Sequence, residues 1–299
     1  MKSQAAKRIY FAPTPWSSSI EVANDYKFQT PGARGIWKDI EYTDNKDEAE
    51  FLIIQDECFD LDLLNRFDRS HKLYFNREAL STHLINSYTS EQFNRFSFWD
   101  GSGYLPVRWR YDSELAKNPM GYGGIPLTYD ELVELMPMEK NRKICAVVSN
   151  KKSIEGHKLR QRFVKKFIKK VELDLYGTIS VRNMEMPENN KFEVLKEYKY
   201  SLGFDNQDSI NDFIGTQFTD SILAWTIPIF WCGTNLGKYF PKNSFLQFDA
   251  RDYSEIDRIS KFLQEDNYED RLDDLAEARK LILNKYNFWP TIKSVVDAV

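Results

Sequence analysis

Residues 196–250 read KEYKYSLGFDNQDSINDFIGTQFTDSILAWTIPIFWCGTNLGKYFPKNSFLQFDA, and this stretch decides the fold. Residues 200–204 form a short apolar run suited to a buried strand, 213–225 carry helical periodicity, and 227–231 form a second strand at once afterwards. Strand, loop, helix and strand in that order make a βαβ unit, which puts two parallel strands in one sheet. The same grammar extends upstream. Residues 144–149 (ICAVVS) are a continuous apolar run, as expected of a strand covered on both faces, and the polar loop 150–157 leads into a periodic segment at 158–171. Downstream, 254–286 read as strongly helical, with Pro290 expected to break the last helix before 292–299.

Toward the N-terminus, short β-branched or aromatic runs at 8–12, 51–55, 72–75 and 95–99 alternate with polar segments, of which 61–67 has helical periodicity. This is a second α/β pattern. Between the two, Pro119, Gly121, Gly123, Gly124, Pro126 and Pro137 crowd one stretch and read as loop. The expected organisation is an N-terminal α/β domain over 1–140 and a C-terminal one over 141–299, with a ligand cleft at the carboxyl ends of the strands.

The composition narrows the function. The chain has 299 residues, 42% hydrophobic and 15% aromatic, enough apolar material for two domains of about 150 residues each. With 41 basic and 45 acidic residues and a net charge of -4, it lacks the positive field that drives phosphate-backbone binding, so no nucleic acid is expected as a partner. Cys58, Cys145 and Cys232 are far apart and never in C-x-x-C spacing; neither a disulfide framework nor a zinc site is expected, and a reducing, cytoplasmic compartment fits. His71 and His83 lack partners at ligand spacing. The beginning MKSQAAKRIYFAPTP has no signal-peptide run, and no stretch approaches the ~18 apolar residues of a membrane span, which predicts a soluble chain without a transmembrane segment. Peripheral membrane contact stays open.

The loop at 149–157 opens a helix whose first-turn amides and dipole could meet an anion, with Arg160 expected in that first turn and Lys158 and His157 nearby. A nucleotide diphosphate would suit it. Equally, Lys158, Arg162, Lys165, Lys166, Lys169 and Lys170 read as the solvated face of an amphipathic helix.

Residues 196–250 resemble the signature region of the α-1,3-fucosyltransferases of glycosyltransferase family 10, whose members show Y-K-F-x-L-x-F-E-N-S, then Y-V-T-E-K, then G-T-I-P-V-x-x-G, then P-x-S-F-I. Tyr198, Lys199, Leu202, Phe204 and Asn206 fall on the first element, with Asp205 in place of its Glu; Thr226, Ile227, Pro228 and Gly233 fall on the third, and Pro241, Ser244 and Phe245 on the fourth. Upstream, CAVVSNKKSIEGHKLRQRF resembles the family's strand ending in S-N, which puts Ser149 and Asn150 at the strand end and Arg160 at the diphosphate-binding arginine. An arginine suits that role because its planar fork pairs with two phosphate oxygens and stays charged. In the first half, KLYFNREALSTHL resembles the family's E-S-P segment and places Glu78 at the candidate general base, a role that needs a carboxylate to take the proton of an attacking hydroxyl. A helix-start glutamate stabilising a dipole is an equal alternative for Glu78. Asp100 is a second candidate, or a turn residue before Gly101.

The family's T-E-K tripeptide falls on Gly215, Thr216 and Gln217, so both charged members are missing; Thr216 and Gln217 can hydrogen-bond but carry no charge. Arg182 and Lys238 are candidate substitutes for the lost cation. No D-x-D motif stands where a metal-dependent enzyme would place one, since Asp60-Leu61-Asp62 lies at a helix start, so no metal and no cofactor besides the donor is expected.

The resemblance implies an α/β, GT-B-like fold of two Rossmann-like domains facing a central cleft, 1–140 binding a glycan acceptor and 141–299 a nucleotide-sugar donor. It allows the C-terminal helix to cross back onto the first domain. The implied reaction is inverting transfer of a sugar, most simply fucose from GDP-fucose, with Ser149, Asn150, Arg160, Asn206, Gly215, Thr216 and Gln217 at the donor and Glu78 as base. A bare catalytic unit resembles the bacterial or viral forms of the family. Two alternatives stay open: another nucleotide-sugar donor on the same fold, and a catalytically silent glycan- or nucleotide-binding protein.

Overall fold

In the computed structural model the described residues are 6–14, 17–55, 58–75, 127–179, 184, 191–205, 214–232 and 235–299. The first sheet is built from β1 (Lys7–Phe11), β2 (Ile36–Trp37), β3 (Ile40–Tyr42), β4 (Phe51–Gln55) and β5 (Lys72–Phe75) in the order β2-β3-β1-β4-β5. All its pairings are parallel except that of β2 with β3. The buried run of β4 (FLIIQ) sits in the interior of the sheet, where a strand covered on both faces must be apolar throughout. Helix α1 (Ser19–Lys27) follows β1 and opens with a capping box in which Ser18 and Glu21 satisfy each other's backbone amides. Helix α2 (Leu61–Arg66) is capped by Asp60, whose Oδ1 accepts from the Leu63 amide at 2.9 Å. The Asp60-Leu61-Asp62 triplet is therefore a helix start, as its context in the sequence suggests.

The short helix α3 (Tyr129–Glu134) leads to the second sheet. This comprises β6 (Arg142–Val148), β7 (Asp174–Gly177), β8 (Tyr198–Phe204), β9 (Ile227–Trp231) and β10 (Leu246–Gln247) in the order β10-β9-β8-β6-β7, every pairing parallel. Helices α4 (Glu155–Phe167), α5 (Lys191–Leu195) and α6 (Thr216–Leu223) fall between its strands, and α7 (Glu255–Glu265), α8 (Leu272–Leu281) and α9 (Phe288–Val296) follow. The helical stretch expected over 254–286 is not continuous. Asp266 takes a left-handed conformation at φ 43° after α7, and a π-helical turn, Ile282–Tyr286, follows α8.

Each sheet has its own apolar core, but the first is completed from the far end of the chain. Phe288, Trp289, Ile292 and Val296 of α9 are buried with Phe11, Tyr26 and Phe75. The Phe288 ring stacks on Tyr26 at 4.1 Å, and the Trp289 indole N–H donates to the Tyr26 carbonyl at 2.9 Å. Pro290, expected to end a helix, instead occupies the first turn of α9 behind the Asn287 cap. The amides of a first turn have no partner within the helix, so proline costs nothing there. Among the described residues, no helix is long and apolar enough to cross a membrane.

Candidate functional site

The carboxyl edge of the second sheet gathers the ends of β7, β6 and β8, which are neighbours in the sheet. Ser149 and Asn150 follow β6, Thr178 follows β7 and Asp205 follows β8. Arg160 lies against this edge: its side chain is buried, and one guanidinium nitrogen donates to Ser149 Oγ at 2.8 Å. The Asn150 amide donates to Thr178 Oγ1 at 3.1 Å, and Gln161 Nε2 donates to the carbonyls of Lys151 at 2.9 Å and Ser149 at 3.4 Å. Gln161 and Thr178 thus fix the loop after β6. That loop carries Lys151 and Lys152, two exposed cations close to Arg160 in the chain.

Arg160 is not in the first turn of its helix, as the sequence suggested. Helix α4 begins at Glu155, with Ile154 at the cap position and no side-chain cap. Gly156 and His157, which look like loop residues, are helical; His157 is buried and its Nδ1 shares a hydrogen bond with Ser153 Oγ at 3.1 Å. Arg160 reaches the strand end because His157, Arg160, Gln161 and Val164 lie on the buried face of α4. The basic residues read as a solvated face are on the other side, where Glu155 pairs with Arg162 and Lys158.

The residues at the family's T-E-K position stand at the start of α6. Gly215 is its N-cap, and Thr216 and Gln217 are half-buried in its first turn. The Gln217 side chain turns back to the strand, its Oε1 accepting from the Phe204 amide at 3.2 Å. Asp205 Oδ2 accepts from the Gly215 amide at 3.1 Å. Burial pushes the Asp205 carboxyl up to about 8, against the pull of that hydrogen bond. Its proton therefore favours the native state. Below pH ~4 the folded and unfolded forms are both protonated; as pH rises toward 8 only the unfolded form ionises, and stability falls through that window before levelling off. Asp205→Asn is expected to flatten this decline. At about 1.4 kcal/mol per unit of displacement the difference at pH 8 is on the order of a few kcal/mol, read as melting temperature against pH for both proteins.

The other end of α6 is held by two buried cations. Arg279 donates to the carbonyls of Leu223 and, at 2.7 Å, Leu132, and lies 4.5 Å over the Trp225 ring. Lys140 Nζ donates to the Ala224 carbonyl at 2.8 Å and the Lys196 carbonyl at 2.6 Å. Burial pushes Arg279 down to about 9 and Lys140 down to about 7. Cations at a helix C-terminus face the negative end of its dipole. Trp225, at φ 58°, closes the helix in the left-handed position that glycine usually takes.

Several motif residues serve the fold instead. Tyr198 and Lys199 lie at the amino end of β8, where Tyr198 bonds Asp174 at 2.6 Å and Lys199 pairs with Asp266 at 3.1 Å. Thr226 is buried with its hydroxyl on the Leu195 carbonyl, and Ser244 closes a turn onto Pro241 at 2.7 Å. Lys238 is exposed beside the Tyr239 ring. The three cysteines are buried and form no disulfide, and among the described residues no group of three His, Cys, Asp or Glu stands placed for a metal ion. Glu78, Asp100, Arg182 and Asn206 lie outside the described residues.

Comparison with known proteins bears on the fold and on the second half of the chain. Residues 137–272 match the model of the family described as Glycosyltransferase family 10 (fucosyltransferase) C-term. A crystal structure of an alpha1,3-fucosyltransferase is similar at a TM-score of 0.56 and 19% identity, covering 99% of this chain and 91% of that one. Crystal structures of an alpha1,3-fucosyltransferase with GDP and with GDP-fucose are similar at TM-scores of 0.54 and 0.53, each at 18% identity and covering 99% of this chain and 92% of the other. The chain thus has the GT-B fold of these fucosyltransferase structures, and its residues 137–272 match the model of glycosyltransferase family 10.

Proposed function

We propose that the protein transfers fucose from GDP-fucose to a hydroxyl of a glycan acceptor with inversion at the anomeric carbon, residues 1–140 binding the acceptor and 141–299 the donor. The observation that carries this reading is the buried Arg160 guanidinium fixed on Ser149 at the carboxyl edge of the second sheet, inside the segment that matches the family. The diphosphate is held by Arg160 with Ser149, Asn150 and Asn206, and its charge is further offset by Lys151, Lys152 and the uncapped first turn of α4. Gly215, Thr216 and Gln217 lie at the donor sugar. The acceptor oxygen attacks the anomeric carbon in line, forming the new glycosidic bond as the bond to the β-phosphate oxygen breaks. The acceptor proton passes to the Glu78 carboxylate and GDP leaves. Positive side chains and helix starts stabilise the leaving diphosphate, so the reading needs no metal or cofactor besides the donor.

Glu78→Gln is expected to lower kcat by about 10²- to 10⁴-fold with donor affinity unchanged, measured by release of GDP in the presence of acceptor. Full kcat in the variant would remove Glu78 as the base. A second reading, in which another nucleotide sugar is the donor, is favoured by the uncharged Thr216 and the engagement of Gln217 with Phe204. A panel of nucleotide sugars under the same assay separates the two readings by which donor is consumed.

A further inference from the structure

We propose that Asp205 and Gln217 are positioning residues whose side chains form a two-point clasp, fixing the start of α6 on the end of β8 and thereby setting where Gly215 and Thr216 meet the donor sugar. The ligand in this statement rests on the glycosyltransferase reading; the clasp itself rests on geometry. Its two hydrogen bonds run in opposite directions across the same gap. From the strand side, the Asp205 carboxyl accepts from the Gly215 amide; from the helix side, the Gln217 amide oxygen accepts from the Phe204 amide. The Phe204 N–H requires an acceptor, so the oxygen of the Gln217 amide must face it, and the two N–H donors of its nitrogen are left as a neutral substitute for a lysine.

The two glycines beside the clasp are there for space. Gly215 has an ordinary φ of -80°, so its backbone conformation does not call for glycine. A Cβ on it would lie 1.8 Å from Asp205 Oδ1 and 2.9 Å from its Cγ, an overlap that no side-chain adjustment short of expelling the carboxyl relieves. A Cβ on Gly203 would lie 2.6 Å from the Phe230 ring, which would have to shift to admit it. A carboxyl so enclosed is costly to ionise, and near neutral pH Asp205 holds its proton, consistent with Thr216 and Gln217 carrying no charge beside it. With Arg279 and Lys140 holding the far end, α6 is anchored at both ends.

The test compares wild type, Asp205→Ala, Asp205→Asn and Gly215→Ala by amide hydrogen exchange at Gly215 and by calorimetric affinity for GDP and GDP-fucose. Asp205→Ala is expected to speed Gly215 exchange and weaken GDP-fucose binding by about tenfold each, the effect of one lost hydrogen bond to a buried group, while GDP affinity stays within about twofold because Arg160 is untouched. Asp205→Asn, which keeps an acceptor oxygen, should retain the protection. Gly215→Ala should behave as Asp205→Ala does, and should be tolerated once Asp205→Ala has removed the obstructing carboxyl. Gly215 exchange that is indifferent to Asp205→Ala, or equal losses of GDP and GDP-fucose affinity, would overturn the clasp. If wild type binds neither nucleotide yet shows the expected exchange pattern, the glycosyltransferase reading fails and the clasp stands.

Discussion

Replacement of Arg160 by methionine is expected to abolish stabilisation of the protein by GDP and by GDP-fucose. The guanidinium bonds Ser149 Oγ at 2.8 Å with one nitrogen, and its planar fork can place further N–H groups on phosphate oxygens. Two charge-assisted hydrogen bonds at about 1.5–3 kcal/mol each correspond to an affinity loss of about 10²- to 10⁴-fold. Methionine fills similar volume and removes a buried charge, so the unliganded variant should melt near the wild-type temperature, which separates loss of ligand from loss of fold. Arg160→Lys is expected to recover only part of the affinity, because an ammonium is a point charge without the fork. Undiminished GDP binding in the methionine variant would move the diphosphate away from the β6 edge.

The second large effect concerns the fold. Trp289→Ala is expected to cost about 3–5 kcal/mol, measured as the shift in urea-unfolding midpoint multiplied by the slope. Trp289 is fully buried, meets Phe11 edge-on at 6.2 Å and bonds the Tyr26 carbonyl. Removing it leaves a large cavity in the first core and takes one hydrogen bond from the Tyr26 carbonyl, which keeps the Gln29 amide at 2.9 Å. The loss should fall on the unfolding of the first sheet, since the core of the second contains no residue of α9. A cost below about 1 kcal/mol, the level of an ordinary surface change, would mean that the returning helix is not integral to that core.

The strands were legible where an apolar run is bounded by polar residues: β4, β5 and β9 have the limits that their sequences suggest. Helix limits were harder, because periodicity marks a buried face and not where the backbone turns. Gly156 and His157 read as loop but open α4, and Asp266 interrupts a run whose apolar spacing continues on either side. Pro290 misled because a first-turn proline and a helix-breaking one look alike until the cap is known.

At the site, Arg160 was legible from a basic residue near a helix start and from the resemblance around it. The role of Asp205 was not, since it depends on how closely the Gly215 backbone approaches; the glycines at 203 and 215 were the available signal. Lys140 and Arg279 carried no sequence signal as buried groups, because most of their hydrogen-bonding partners are main-chain carbonyls that any residue supplies.

The most direct measurement titrates GDP-fucose, GDP, UDP and other nucleotide sugars against the thermal stability of the full chain. A ligand at ~100 times its dissociation constant adds about 2.7 kcal/mol to the native state. A guanine-nucleotide site at Arg160 predicts that GDP and GDP-fucose raise the melting temperature, that UDP does not, and that both shifts vanish in Arg160→Met. Stabilisation by none of these nucleotides, or an equal response in the Arg160→Met variant, would contradict it.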